Sequence, residues 1–261
     1  MPTYTDSALD AESDEDLAAR RLRAHERIYD PGTIRRLEAL GVGAGWRCLE
    51  VGAGGGSITR WLCSRVGTTG RVRAVDLDTR FVSDIRAVNL DVSRLDVVTG
   101  EVPGGPFDLI HVRSVLVSLQ PREAVLAKLI SLLSPRRWLL VEEPDGAATC
   151  AMGTGLHREV LARIAAGAIG GPEARWARDL PETLHAHGLR DIGAESQTPI
   201  LEGGSRPTEF LRLTALGVRE PLLASGTDPD QLDEWSRSLD APAHWFPSLT
   251  MMAAWGRRRE G

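Results

Sequence analysis

The chain has 261 residues, 42% of them hydrophobic and 26% charged, with a formal net charge of −5. This suits one large globular domain, or a domain with a small cap. The acidic balance argues against a nucleic-acid backbone as partner, and no apolar run approaches the roughly 18–20 residues that would span a membrane.

Residues 1–16 hold Asp6, Asp10, Glu12, Asp14, Glu15 and Asp16. A secretory leader is basic and then apolar, so this segment is expected to be a solvated, disordered tail on a cytoplasmic protein. Over 17–40, Leu17, Leu22, Ile28, Ile34, Leu37 and Leu40 recur at helical spacing, and Asp30-Pro31-Gly32 predicts a break between two helices. From Trp46 the texture changes to short apolar runs separated by helical patterns. Strands are expected at 47–51, 71–76, 94–98, 107–112 and 137–142, with helices at 56–66, 78–88 and 121–133. That alternation predicts a parallel sheet covered by helices on both faces. Beyond Pro144, helices are expected at 156–168 and 179–187, and strands at 189–199 and 244–256. The mostly helical stretch 206–240 between these last strands is placed to form a lid over a pocket, or simply to cover the sheet edge. Cys48, Cys63 and Cys150 are too few and too scattered for a disulfide framework or a zinc site.

The segment "LEVGAGGGSIT" ends the first strand and opens a helix, the setting in which backbone amides and a helix N-terminus face a ligand. A dinucleotide fingerprint beginning at Gly52 would need its third small residue at position 57, which is Ser57. The loop alone therefore leaves NAD open. Two neighbours narrow the choice. Glu50, two residues before Gly52, would repel a pyrophosphate but suits a ligand carrying an ammonium or sulfonium. Asp76 ends the second strand, where a carboxylate accepts both ribose hydroxyls; its simpler role would be to cap the next helix. A positively charged adenosine without phosphate is S-adenosylmethionine.

With these residues in view, the chain resembles the class I S-adenosylmethionine-dependent methyltransferases, in particular bacterial small-molecule enzymes of the natural-product type. The resemblance covers residues 30–145 well and runs more loosely to "HWFPSLTMMAAWGRR". It implies a Rossmann-like α/β fold with a seven-stranded, mostly parallel sheet, an antiparallel last strand and a helical lid insertion. The single domain would run over 17–261, with N-terminal helices at 17–45, a core at 46–199 and 244–258, and the lid at 200–243. The family motif of an acid, one residue and then G-x-G-x-G falls on Glu50, Gly52, Gly54 and Gly56, with Ala53 inside it. Gly55 is expected to give steric room. The resemblance puts the ribose on Asp76 and the adenine beside Leu77. Asp96 with Val97 would meet the adenine amino group, and Arg113 would border the methionine end. "SPRRW" stands where the family usually has a Pro-Gly-Gly turn.

Methyl transfer from a sulfonium is an in-line displacement in which alignment supplies much of the rate. A base is needed only when the acceptor holds a proton at neutral pH. His111, Arg113, Glu142, Glu143, Asp145, His157 and the stretch 175–179 should reach the strand ends where the acceptor would lie. His157 and Glu143 are the expected bases, and His111 is expected to position rather than transfer. His185 and His187 would point in different directions from one helix, so no metal is expected. These readings predict a small-molecule methyltransferase that acts on oxygen in bacterial secondary metabolism and leaves S-adenosylhomocysteine as product. Its N-terminal helices could mediate a homodimer. The alternatives are N- or C-methylation, and cyclisation, decarboxylation or hydroxylation with the cofactor bound. An NAD oxidoreductase and a non-catalytic cofactor-binding protein are further possibilities.

Overall fold

A computed structural model describes residues 14–168 and 176–260. The expectation for residues 1–13, and Arg175 among the site candidates, lie outside the described residues. Five parallel strands come first: β1 (Arg47–Val51), β2 (Arg71–Asp76), β3 (Leu90–Arg94), β4 (Phe107–Arg113) and β5 (Leu133–Pro144). With β6 (Arg190–Gln197) and β9 (Met251–Arg257) they form one sheet in the order β3-β2-β1-β4-β5-β9-β6. Strand β9 runs antiparallel to both β5 and β6. The expected seven-stranded, Rossmann-like α/β sheet is thus present. The central strands are covered on both faces, so consecutive residues are buried along β1, from Cys48 to Val51, and along β4, from Leu109 to Val112.

The alternation of side chains splits the core in two. Leu49, Val51, Ile110, Val112, Leu139 and Val141 pack on one face with α3 (Arg122–Ser131) and α6 (Leu180–Ala186). Cys48, Leu109 and Leu140 face the other way, toward α1 (Asp14–Ala39) and α2 (Ser57–Val66). After β5 come α4 (Gly146–Met152) and α5 (Gly155–Ala168). Between β6 and β9 the chain makes β7 (Ile200–Glu202), α7 (Glu209–Gly217), α8 (Arg219–Ala224), α9 (Pro229–Ser238) and β8 (Trp245–Pro247). Strands β7 and β8 pair as a separate antiparallel ribbon. The insertion has its own core, in which Phe210, Leu232, Trp235 and Phe246 pack against Ile28 and Tyr29 of α1 and Val160 and Leu161 of α5.

Four expectations need correction. The N-terminal segment is one helix of 26 residues with Pro31 inside it, not two helices. An interior proline costs about 3 kcal/mol because it removes a hydrogen bond and crowds the preceding turn. Tertiary bonds just around it offset that cost: Arg113 donates to Asp30 and to Thr33, and Thr33 donates to Glu142 at 2.6 Å. Residues 78–88 form turns rather than a helix. There Asp76 and Asp78 each accept a backbone amide two residues on, a local alternative to helix bonding. Strand β3 occupies 90–94 and not 94–98, so Asp96 and Val97 lie past its end. The expected strand at 244–256 is two strands, split at Ser248–Thr250.

Candidate active site

The glycine loop is built by the ends of β1 and β2. The amide of Gly52 donates to the Val75 carbonyl at 2.8 Å, tying the loop to the neighbouring strand. Gly52 has φ +75°, and a Cβ there would stand 2.2 Å from Val115 Cγ2. Only glycine satisfies both conditions. The Gly54 amide donates to Asp76 Oδ2 at 2.8 Å, and Asp78 donates to Asp76 Oδ1 at 2.9 Å. Helix α1 lies directly above. A methyl group at Gly54 would come within 3.2 Å of Leu22 Cδ2, and one at Gly55 within 2.4 Å of Glu26 Oε1.

A cavity of about 410 Å³ opens at the C-terminal edge of the sheet. Glu50, Gly52, Ala53, Gly54, Gly55, Asp76 and Leu77 line one end, with Asp96 and Val97 beside them. At the other end stand Arg21, His25 and Tyr29 of α1, Phe210 and Thr214 of α7, and Pro144, Leu249 and Met251 near β9. Gly56 is outside this wall. It opens α2, and a Cβ there would meet Ile85 Cδ1 at 2.6 Å. The expected room at Gly55 is taken by the Glu26 carboxylate.

The residues at the first end fit an adenosine with a positive charge. Each Asp76 oxygen accepts a single amide, leaving lone pairs for two hydroxyls. Leu77 is 62% exposed and puts an apolar side chain on the cavity wall. Glu50 is buried and accepts only the Thr59 hydroxyl, at 2.6 Å, with His111 Nδ1 farther off at 3.8 Å. The start of α2, where a pyrophosphate would sit, is already taken: the Ser57 amide donates to Glu26 Oε1 at 3.2 Å. A dinucleotide would have to displace a carboxylate there.

Behind the cavity runs a buried polar row across three adjacent strands, Glu50, His111 and Glu142. His111 Nε2 bonds Glu142 at 3.1 Å, and Arg36 pairs with the same carboxylate at 2.8 Å. Burial pushes the His111 pKa down, but the two glutamates outweigh it and raise the net value. Burial likewise works against ionised Glu142, yet His111, Arg36 and Arg113 hold its pKa near 2. Glu142 is therefore ionised at neutral pH, and through Arg36 and Thr33 it seats α1.

Neither expected base lines the cavity. Glu143 is fully buried and turned toward the chain after β4, where its carboxylate accepts the amides of Val115, Leu116 and Val117. It pins that turn. His157 accepts from Trp235 Nε1 at Nδ1, so Nε2 carries the proton and donates to the Pro247 carbonyl, both at 2.9 Å. Both nitrogens are spent joining α5 to the insertion. Asp145 caps α4 through the Ala148 amide and pairs with Arg178. Arg113 does border the cavity, but its guanidinium is bonded to Asp30 and Thr33. Asp96 accepts from Val98 and Thr99 in its own turn. His187 pairs with Glu123, and among the described residues no cluster of His, Cys, Asp or Glu could hold a metal. Sequence reasoning missed His25 and the face it belongs to. Arg21, Leu22, His25, Glu26 and Tyr29 recur at three- and four-residue intervals. That spacing is a helical stripe, overlooked because it is mostly polar.

The sheet order, the antiparallel strand and a site at the strand ends define the class I methyltransferase architecture. The chain matches the methyltransferase-domain family over residues 10–192 and belongs to it. It is an enzyme of the S-adenosylmethionine-dependent methyltransferase class. Among solved structures, phosphoethanolamine N-methyltransferase 2 of Haemonchus contortus superposes with a TM-score of 0.56 at 16% identity. The alignment covers 96% of this chain and 61% of that one, so this chain spans about three fifths of it. A protein of Bacillus halodurans provisionally assigned as a methyltransferase gives 0.57 at 12% identity, over 87% of this chain and 98% of that one. At these identities the likeness is one of fold. No curated protein matches the chain. Among the described residues, no helix is long and apolar enough to cross a membrane.

Proposed function

We propose that the chain moves a methyl group from S-adenosylmethionine to a hydroxyl oxygen of a small molecule, in the manner of bacterial secondary metabolism. The observation that carries this reading is the single cavity that joins the carboxylate-lined glycine loop to a pocket beneath α1 and α7. When bound, the cofactor supplies a methyl already activated by its sulfonium. In this reading Asp76 accepts the two ribose hydroxyls while it keeps Gly54 in place. Leu77 and Val97 border the adenine, Asp96 lies near its amino group, and Glu50 offsets the positive charge of the amino-acid end. Gly52, Ala53 and Gly54 let that end approach the backbone. Helix α1 and the insertion over 200–243 act as a lid, excluding water and holding the acceptor in line, an arrangement that contributes much of the rate in such displacements.

Calorimetric titration tests the reading. S-adenosylhomocysteine should bind, whereas NAD should not. Asp76→Ala should cost about 1.5–3 kcal/mol of that binding, on the order of 10- to 100-fold in Kd. Asp76→Asn, which keeps one acceptor oxygen, should cost less. Binding of NAD with no response to S-adenosylhomocysteine would refute the proposal.

A further inference from the structure

We propose that His25 takes the acceptor's proton and that Arg21 stabilises the oxyanion left behind, so that the site selects a planar, acidic hydroxyl: a phenol or an enol. This rests on the methyltransferase reading above and names the substrate class of that same cavity.

Among the described residues His25 is the histidine that lines the cavity. His157 has both ring nitrogens bonded, and His111 and His187 each bond a glutamate through Nε2 and stand outside the cavity wall. Neither nitrogen of His25 has a hydrogen-bond partner among the described residues, and the ring is held only by its aromatic neighbours. Its centroid lies 4.7 Å from Tyr29 and 5.4 Å from Phe210, and Tyr29 and Phe210 stand edge to face at 5.9 Å. Tyr29 is fixed by its hydroxyl, which donates to the Leu249 carbonyl at 2.8 Å. It is a rigid wall and not a competing base. Three flat side chains from two segments suit a flat ligand.

The charges around His25 set the acidity that it can handle. Arg21 and Glu26 flank it on α1, and Arg113, bonded to Asp30, approaches from β4. On α7, Glu209 is engaged by Arg20, and Arg212 by Ser236 and Asp240. Burial first, then Arg113 and Arg21, hold the His25 pKa well below its ordinary value. The imidazole is therefore neutral at pH 7 and able to accept a proton, but it is a weak base. Proton transfer to such a base from an aliphatic alcohol is steeply uphill, whereas a phenol or an enol is matched to it. Arg21 has no hydrogen-bond or ion-pair partner among the described residues, which leaves its guanidinium available to a developing oxyanion. In the step itself the acceptor oxygen bonds the methyl carbon as the carbon–sulfur bond breaks, its electron pair going to sulfur. The hydroxyl proton passes to a His25 ring nitrogen, and the two arginines promote its onward loss to water.

The test uses the full chain, methyl-labelled S-adenosylmethionine and five probes: 1-naphthol, 4-hydroxycoumarin, 4-nitrophenol, cyclohexanol and benzylamine. Label should enter the three acidic hydroxyls and neither of the others. His25→Gln should keep S-adenosylhomocysteine affinity within about twofold and lower kcat for 1-naphthol about 100-fold or more. It should affect the more acidic 4-nitrophenol less, and abolish the acid limb of the kcat/KM pH profile. Arg21→Met should lower transfer to every acidic hydroxyl and leave S-adenosylhomocysteine affinity unchanged. Label in no acidic hydroxyl, faster transfer to cyclohexanol or benzylamine, or wild-type kcat in both His25→Gln and His25→Ala would overturn the proposal. Loss of S-adenosylhomocysteine affinity in Arg21→Met would assign that guanidinium to the cofactor and equally overturn it. Failure of wild-type protein to bind S-adenosylhomocysteine would instead sink the broader methyltransferase reading.

Discussion

Glu143 shows how far a residue's sequence neighbourhood can mislead about its role. It stands at the end of β5, the expected place for a base, yet its carboxylate is fully enclosed and accepts three backbone amides. Burial outweighs those donors and raises its pKa from 4.5 to about 7. A carboxyl whose folded value is the higher one stabilises the fold fully below about pH 4.5 and loses that contribution as pH rises through 7. Across that interval the loss should reach at most about 3 kcal/mol. Urea midpoints at pH 5 and pH 8 should therefore differ more for the wild type than for Glu143→Gln, in which this group no longer titrates. Equal pH dependence in the two proteins would contradict this account. The glycine-loop end of the cavity was readable in the sequence because its wall is local: Glu50, Gly52, Gly54, Gly55 and Asp76 lie within 27 residues of one another. Nothing comparable separated His25 from His157, since the distinction lies in which nitrogens already have partners.

At the level of the element, α1 is held by charge as much as by apolar packing. Thr33 and Arg36 reach into the sheet to meet Glu142, and Arg113 reaches out to Asp30. The same helix places Leu22 and Glu26 over the glycine loop. Glu142→Ala would leave Arg36 and His111 short of their shared counter-ion in a dry environment. It should lower stability by about 3–5 kcal/mol in urea unfolding. It should also weaken S-adenosylhomocysteine binding measured by calorimetry, although Glu142 does not line the cavity. Unchanged stability would show that the latch is not needed. These contacts also explain why the helix break expected at Pro31 does not occur: the bonds that carry the helix through it come from β4 and β5, about 80 and 110 residues away. The misplaced helix at 78–88 has the opposite cause. Phe81, Val82 and Ile85 do recur at helical spacing, but the Asp76 and Asp78 side chains capture the amides that would start a helix.

Across the whole molecule, the roof of the cavity comes from two segments nearly 190 residues apart in sequence. Arg20 of α1 donates to Glu209 of α7, and Tyr29 donates to the Leu249 carbonyl near the far end of the insertion. A ligand the size of S-adenosylmethionine beneath that roof should tighten it. Hydrogen exchange should slow over 14–39 and 209–224 on binding S-adenosylhomocysteine, with little change in β4 and β5. Uniform slowing across the sheet, with none in these helices, would argue against a lid. The end of the cavity under α1 and α7 was not legible in the sequence for this reason: its wall exists only when distant helices meet.

The narrow ribbon of β7 and β8 carries one last implication. It brings Glu202 opposite Trp245, and the Gly203 amide donates to the His244 carbonyl at 2.9 Å. The helices between therefore leave and rejoin the body of the protein almost at one point, as if on a stalk. Its helices nevertheless share a core with Ile28 and Tyr29 of α1 and Val160 and Leu161 of α5, so exchanging them would also disturb the helix that covers the glycine loop. Grafting 204–243 from relatives onto this ribbon would therefore need matching changes on the faces of α1 and α5 that it packs against.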